Sequence, residues 1–99
     1  MNINRNIVNA IVIGAIGNIK VDGEQTYICR LRKCNATVWE TEHWYLLRSY
    51  ATFVAAIDKQ TGIMYDFLRY VYGYTATSAQ HIAKFATDYQ ATQRYTYRP

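Results

Sequence analysis

The chain has a single proline, Pro99, and no internal repeat or Gly/Ser-rich run, so nothing inside it reads as a linker. One α+β domain over residues 1–99 is expected, with residues 93–99 as a polar, frayed tail. Cysteine is almost as scarce. Cys29 and Cys34 stand alone in CRLRKC, and on a continuous strand five rises of about 3.3 Å would hold them beyond the roughly 7 Å a disulfide tolerates. A bridge would need a turn between them. Two thiols are too few for a stapled secreted scaffold, so a reducing, cytoplasmic setting is expected. The sequon Asn35-Ala36-Thr37 matters only in a glycosylating compartment.

Imidazoles are equally few. A zinc site would have to combine His43 and His81 with both cysteines, and none of the close ligand pairs that tetrahedral sites use is present. Glycine-rich phosphate loops are missing too: GAIGNIK, from Gly14 to Lys20, lacks the ending of a P-loop and the third glycine of a dinucleotide turn. No metal and no cofactor are expected. The longest apolar stretch, Ile7 to Ile19, is broken by Asn9, Gly14, Gly17 and Asn18 and is shorter than the roughly 20 residues that cross a bilayer. It also lacks an A-x-A cleavage motif. Neither a membrane span nor a signal peptide is expected.

Charge is sparse and spread out. Eleven Lys/Arg against seven Asp/Glu give a net charge of +4, shared evenly between residues 1–50 (6 minus 4) and 51–99 (5 minus 3). A diffuse surplus steers acidic partners weakly and lacks the concentration of a nucleic-acid-binding stripe.

What the chain does have is apolar and aromatic residues in alternation. The Ile/Val-rich run from Asn6 to Ile13 reads as a strand, although Ile7, Ile11 and Ala15 would also share a helix face. Asp22-Gly23 signals a turn, and TYICRLRK then alternates Tyr27, Cys29, Leu31 with Ile28, Arg30, Arg32, a strand with one basic face. From Thr37 to Asp58 the pattern suits a meander of short antiparallel strands. Val38 and Trp39, then Trp44 to Leu47, offer large side chains to both sheet faces, one for the core and one for a helix or a partner. Lys59-Gln60-Thr61-Gly62 reads as a turn, and IMYDFLRYVYGY as a sixth strand.

After Thr75 the period changes. Ile82, Phe85, Ala86 and Tyr89 form one helical stripe, and Thr77-x-x-Gln80 fits a capping box, which predicts a helix from about Ser78 to Thr92 with Gln80, Lys84 and Asp88 on its wetter side. The expected architecture is an antiparallel sheet of five or six strands with one C-terminal helix packed on one face.

Catalytic groupings are thin. Ser78 and His81 share a helical face without an orienting acid or oxyanion hole, Glu42 adjoins His43, and Glu40 with Glu42 reads as a solvated edge. Binding has more material. If RYVYGY is extended, Tyr70, Tyr72 and Tyr74 project from one face beside Arg69, a partner-binding ladder whose rings could also stack on bases. Arg30, Arg32 and Lys33, with Arg94 and Arg98, would supply the basic contacts of a nucleic-acid-binding alternative. Cross-strand packing is the plainer role for such tyrosines. Exposed aromatic strands also leave room for a homodimer through sheet edges or an uncovered face.

Ser49, Tyr50, Thr52, Val54 and Ala55 form S-Y-x-T-x-V-A, and Thr75, Thr77, Ser78, His81, Ile82 and Phe85 form T-x-T-S-x-x-H-I-x-x-F after the aromatic Tyr74. Over residues 44–90 this pattern resembles a family of small proteins of bacteriophages and related mobile elements. The resemblance implies a non-enzymatic accessory protein in the bacterial cytoplasm whose partner is a host protein or ribonucleoprotein. Inhibition of a host defence, in the manner of anti-CRISPR proteins, is the specific case it brings to mind.

Overall fold

In the computed structural model, which describes residues 4–71 and 75–97, the Ile/Val-rich run near the N-terminus is a helix. The strand expected over Asn6–Ile13 is replaced by α1, Arg5–Val21. Asn4 caps it, its side-chain oxygen accepting from the Asn6 amide at 2.7 Å. Tertiary packing overrides local β propensity here, because only helical spacing gathers Val8, Val12, Ala15, Ile16 and Ile19 into one apolar cluster with the sheet. Asp22 closes the helix, and Gly23 turns the chain away at φ +100.

Six strands follow: β1 (Thr26–Arg30), β2 (Ala36–Glu40), β3 (Trp44–Ser49), β4 (Thr52–Asp58), β5 (Ile63–Asp66) and β6 (Gln93–Thr96). They form one sheet in sequence order. β1 to β5 are an antiparallel meander, whereas β6 runs parallel to β5, with Met64 opposite Arg94. The sheet is therefore open and mixed, not purely antiparallel. A parallel neighbour needs a crossover, and between β5 and β6 lie the short α2 (Leu68–Val71) and the longer α3 (Ala76–Asp88).

Three expectations are corrected in this region. The sixth strand over residues 63–74 stops at Asp66, because the Asp66 carboxylate accepts from the Leu68 amide at 3.1 Å and starts a helical turn. The cap of α3 is Thr75, whose hydroxyl accepts from the Ser78 amide at 3.2 Å, so the helix starts and ends earlier than Thr77 and Thr92 imply. The supposed tail contributes a strand: the Thr92 amide donates to the Gly62 carbonyl at 2.9 Å and lays residues 93–96 along β5.

Side chains alternate between the two faces of the sheet. On one side Val38, Leu47, Ala55, Ile57 and Met64 share a buried cluster with Leu68, Ile82 and Phe85. On the other, Val12 and Ala15 of α1 meet Trp44, Leu46, Ala56 and Phe67. Here α1 lies over β5 and β6. That seat is off-centre, and Trp39 of β2 and Phe53 of β4 pack against the margin of the α1 cluster.

Candidate binding face

The hairpin of β1 and β2 turns through Leu31–Asn35, with Arg32 and Lys33 both at positive φ. Cys29 and Cys34 thus sit on either side of a turn, and both are free thiols. The strand expected through Lys33 ends at Arg30. A register shift between Tyr27 and Cys29 absorbs Ile28 as an extra residue, so Tyr27 opposes Trp39 and Arg30 opposes Thr37. The bulge therefore puts Tyr27 and Arg30 on the same face, which strict alternation would not.

Register places Arg48 of β3 opposite Thr37 on one side and Phe53 of β4 on the other. Tyr27, Trp39, Arg48 and Phe53 then form a ladder on the α1 side of the sheet, running from the exposed β1 to the margin of the α1 cluster. The Tyr27 and Trp39 rings meet edge to face at 5.4 Å between centroids, and Trp39 and Phe53 at 6.3 Å. The Arg48 guanidinium lies 5.8 Å from the centroid of each of the latter two rings. Trp39 is held by its indole N–H, which donates to the Thr37 hydroxyl at 2.8 Å.

The ladder runs from solvent toward α1. Tyr27 is 51% exposed, while Trp39, Arg48 and Phe53 are half-buried. Phe53 also walls an apolar cavity of about 230 Å³ with Ile16, Ile19, Phe67 and Val71, and Lys20 and Gln25 stand at it.

The electrostatics of this face are one-sided. Neither Arg30 nor Arg48 has a carboxylate within ion-pair distance among the described residues. The Arg48 Nε is buried without a hydrogen-bond partner among them. Two cations, three aromatic rings and an apolar cavity can hold a flat or anionic group, the rings by stacking and the arginines by charge-assisted hydrogen bonds.

The residues singled out from sequence are scattered. Arg69 and Tyr70 are helical, so the extended arrangement behind the tyrosine ladder is absent there, and Tyr72, Tyr74 and Arg98 lie outside the described residues. Tyr70 packs edge to face on Tyr97 at 5.3 Å. Arg32 forms a fork on the Asp88 carboxylate with Nε at 2.8 and 2.9 Å, tying the hairpin to α3. Arg94 donates to the fully buried Asp66 at 2.6 Å. Both arginines are committed to the fold. Of the basic residues proposed, Arg30 faces the ladder, and Lys33 is exposed at the hairpin turn.

Of the ladder residues beyond β1, the sequence pattern offers only Trp39 as a large side chain for a sheet face, and it gives no sign of Arg48 or Phe53 as site residues. The signal for Trp39 was the double-faced pattern of β2 and β3, which called for something to cover each face. No spacing rule could say that α1 would cover only part of one.

Two polar clusters lie elsewhere. Asp22, at the end of α1, accepts from the Thr41 hydroxyl, from the His43 amide at 2.8 Å and from His43 Nδ1. These bonds lower the Asp22 carboxyl to about 2, the His43 side chain contributing most, and the same carboxylate raises the His43 imidazole. Asp22, Glu42 and His43 could each turn one ligand atom to a cation, all within 4.8 Å. Both Asp22 oxygens are already engaged, so a cation would have to displace those bonds. The adjoining cavity of about 640 Å³ is lined also by Asp58 and Lys59, with no Ser, Thr or Cys among its described lining residues.

In the second cluster, Ser49 Oγ lies 2.9 Å from His81 Nδ1 and 3.0 Å from Ser78 Oγ, all three buried. Burial, with a smaller effect from Lys84, lowers the His81 imidazole and so favours its neutral form. Ser78 and His81 do come together, with Ser49 between them. They are enclosed in the core under the Tyr50 ring, 6.0 Å away.

The fold and the face define an α+β protein with an open mixed sheet and a basic aromatic half-face. No family model, curated protein or solved structure matches the chain. Among the described residues, no helix is long and apolar enough to cross a membrane.

Proposed function

We propose that this is a non-enzymatic accessory protein that binds a host macromolecule through the open half of its sheet. In this reading α3 backs the sheet through Ile82, Phe85, Ala86 and Tyr89, α1 covers β5 and β6, and the Tyr27–Trp39–Arg48–Phe53 ladder is left to a partner. One observation carries the proposal: Arg30 and Arg48 lie on an aromatic face with no carboxylate to pair them among the described residues. Both guanidinium charges lack an internal counter-charge among the described residues, and an anionic partner would supply one. The enclosure of His81 and the full engagement of Asp22 support binding over catalysis.

The resemblance of residues 44–90 to phage and mobile-element proteins supports a bacterial cytoplasmic setting and a host protein or ribonucleoprotein as partner. Inhibition of a host defence complex is the specific form of that reading. The test is co-purification of tagged wild-type protein and a Tyr27→Ala/Arg30→Gln variant from bacterial extract. A stoichiometric partner retained by wild type and lost by the variant is expected. Equal retention by both, or catalytic turnover without any partner, would overturn the proposal.

A further inference from the structure

We infer that the open face is a binding path for single-stranded nucleic acid, with bases stacking at Tyr27, Trp39 and Phe53 and phosphates held by Arg30 and Arg48. This names the partner's chemistry and rests on the reading of the open face as the binding surface.

Three occupants could cover such a face, and charge separates them. A second copy docking by two-fold symmetry would bring the same patch against itself. Arg30 and Arg48 would meet their own copies with no carboxylate among the ladder residues to neutralise them, so burial would add repulsion to desolvation. Extension of the sheet through β1 meets a different obstacle, because the bulge at Ile28 breaks the register of that edge.

An acidic protein segment would satisfy the arginines but has no particular use for three aromatic rings on neighbouring strands. Single-stranded nucleic acid uses both. Its bases stack on aromatic rings or on arginine planes, and its phosphates take the guanidinium donors. Strand spacing of about 4.8 Å sets adjacent ladder residues within reach of successive nucleotides. The cavity beside Phe53 is apolar, with Gln25 and Lys20 at its wall, and offers a slot for an unstacked base at the end of the path. Duplex DNA or RNA keeps its bases stacked inside and cannot use the rings.

The experiment is fluorescence anisotropy with labelled 15-nucleotide oligo(dT), oligo(rU) and a duplex of the same length, titrated with the full chain at rising salt. Wild type should bind single strands more tightly than duplex and quench Trp39, the assignment being made with Trp39→Phe. Tyr27→Ala removes an exposed stacking ring and should weaken binding by roughly 5- to 150-fold. Arg30→Gln should reduce the salt slope by about 0.7, one phosphate contact. Both side chains are exposed, and unchanged circular dichroism would show that the variants fold.

Absence of binding at low salt would overturn the inference, as would equal affinity for duplex or unchanged affinity in both variants. The same variants separate this failure from failure of the binding surface itself. If no oligonucleotide binds but Tyr27→Ala and Arg30→Gln release a protein partner from nuclease-treated extract, the face stands and the nucleic-acid ligand falls. If the variants change neither, the face itself falls.

Discussion

Substituting Ser49 by alanine separates a packed polar core from a catalytic one. The Ser49 hydroxyl is the centre of a three-member network: its oxygen reaches His81 Nδ1 at 2.9 Å and Ser78 Oγ at 3.0 Å, and Ser49 is 0% exposed. A hydroxyl has one proton and two lone pairs, so it can donate to one neighbour while accepting from the other. Alanine is almost the same size, so little cavity opens, and the loss is mainly the hydrogen bond to the buried His81 Nδ1. Leaving buried groups unpaired costs about 1–3 kcal/mol. In a chain of this size each kcal/mol lowers the melting temperature by roughly 4–8 °C. Urea unfolding at pH 7 reads the change, and a cycle with His81→Leu should return a coupling of about 1 kcal/mol. The pH dependence adds a second reading. Burial holds folded His81 below its ordinary value near 6.5, so the unfolded chain takes the proton first as pH falls. Its contribution is complete above the unfolded value and is lost from there down to the folded value. His81→Leu should remove that acid loss in the range above about pH 4.5, clear of most carboxylates. Stability of Ser49→Ala within about 0.5 kcal/mol of wild type, or an acid loss that persists in His81→Leu, would refute the reasoning.

The Asp22–His43 contact has the opposite pH sign. Asp22 raises His43, so its contribution is complete below pH 6.5 and is lost as pH rises through the folded His43 value; the Asp22 side is complete above about 4 and lost toward about 2. The gap between melting curves of wild type and Asp22→Asn should narrow from pH 5 to 9, leaving only the part due to the Thr41 and His43 amide contacts, and parallel curves would contradict the assignment. Gly62→Ala should destabilise by about 1 kcal/mol or more, since Gly62 sits at φ +78 and a methyl group there would lie 3.0 Å from Thr92 Cγ2; denaturant unfolding measures it, and an unchanged midpoint would count against the observed junction of β4, β5 and β6. Phe85→Ala should cost about 3–5 kcal/mol, because Phe85 is fully buried in the cluster beneath α3, and calorimetry should show it. Arg48→Met keeps the long apolar stem and removes an unpartnered charge, so thermal stability should hold or rise by up to about 1 kcal/mol; a clear loss would mean that the guanidinium is structural.

The parts of the fold legible in sequence are those where local chemistry and tertiary context agree. Strands β2 to β4 carry alternating large residues that suit a sheet covered on both faces, and Gly62 marks its turn by needing positive φ. The errors fall where context decides. The isoleucines and valines of α1 have strand propensity one by one, yet Val8, Val12, Ala15 and Ile19 pay off only at helical spacing against Trp44 and Phe67. Nothing local in Gln93–Thr96 announces a strand; β6 exists because α3 returns the chain alongside β5. Arg32 and Arg94 look like Arg30 in sequence and are exposed as it is, and only long-range partners, Asp88 and Asp66, divide the structural arginines from the one with no ion pair among the described residues.

That division bears on the binding face more than any local motif does. Arg32 and Arg94 show that this fold supplies carboxylates where a guanidinium serves architecture, one of them fully buried. Arg48 departs from that pattern: it is half-buried on two aromatic rings, with a nitrogen enclosed and unpaired among the described residues. Residues that break a local stability rule without a compensating internal contact mark functional positions in a chain otherwise consistent with its fold. Trp39 and Phe53 join this arginine at the margin of the α1 cluster, packed against it on one side and only half-buried. The bulge at Ile28 acts in the same direction. It interrupts the edge of the sheet while turning Tyr27 and Arg30 to the open face, so one extra residue both discourages strand pairing and adds a ring and a cation to the ladder.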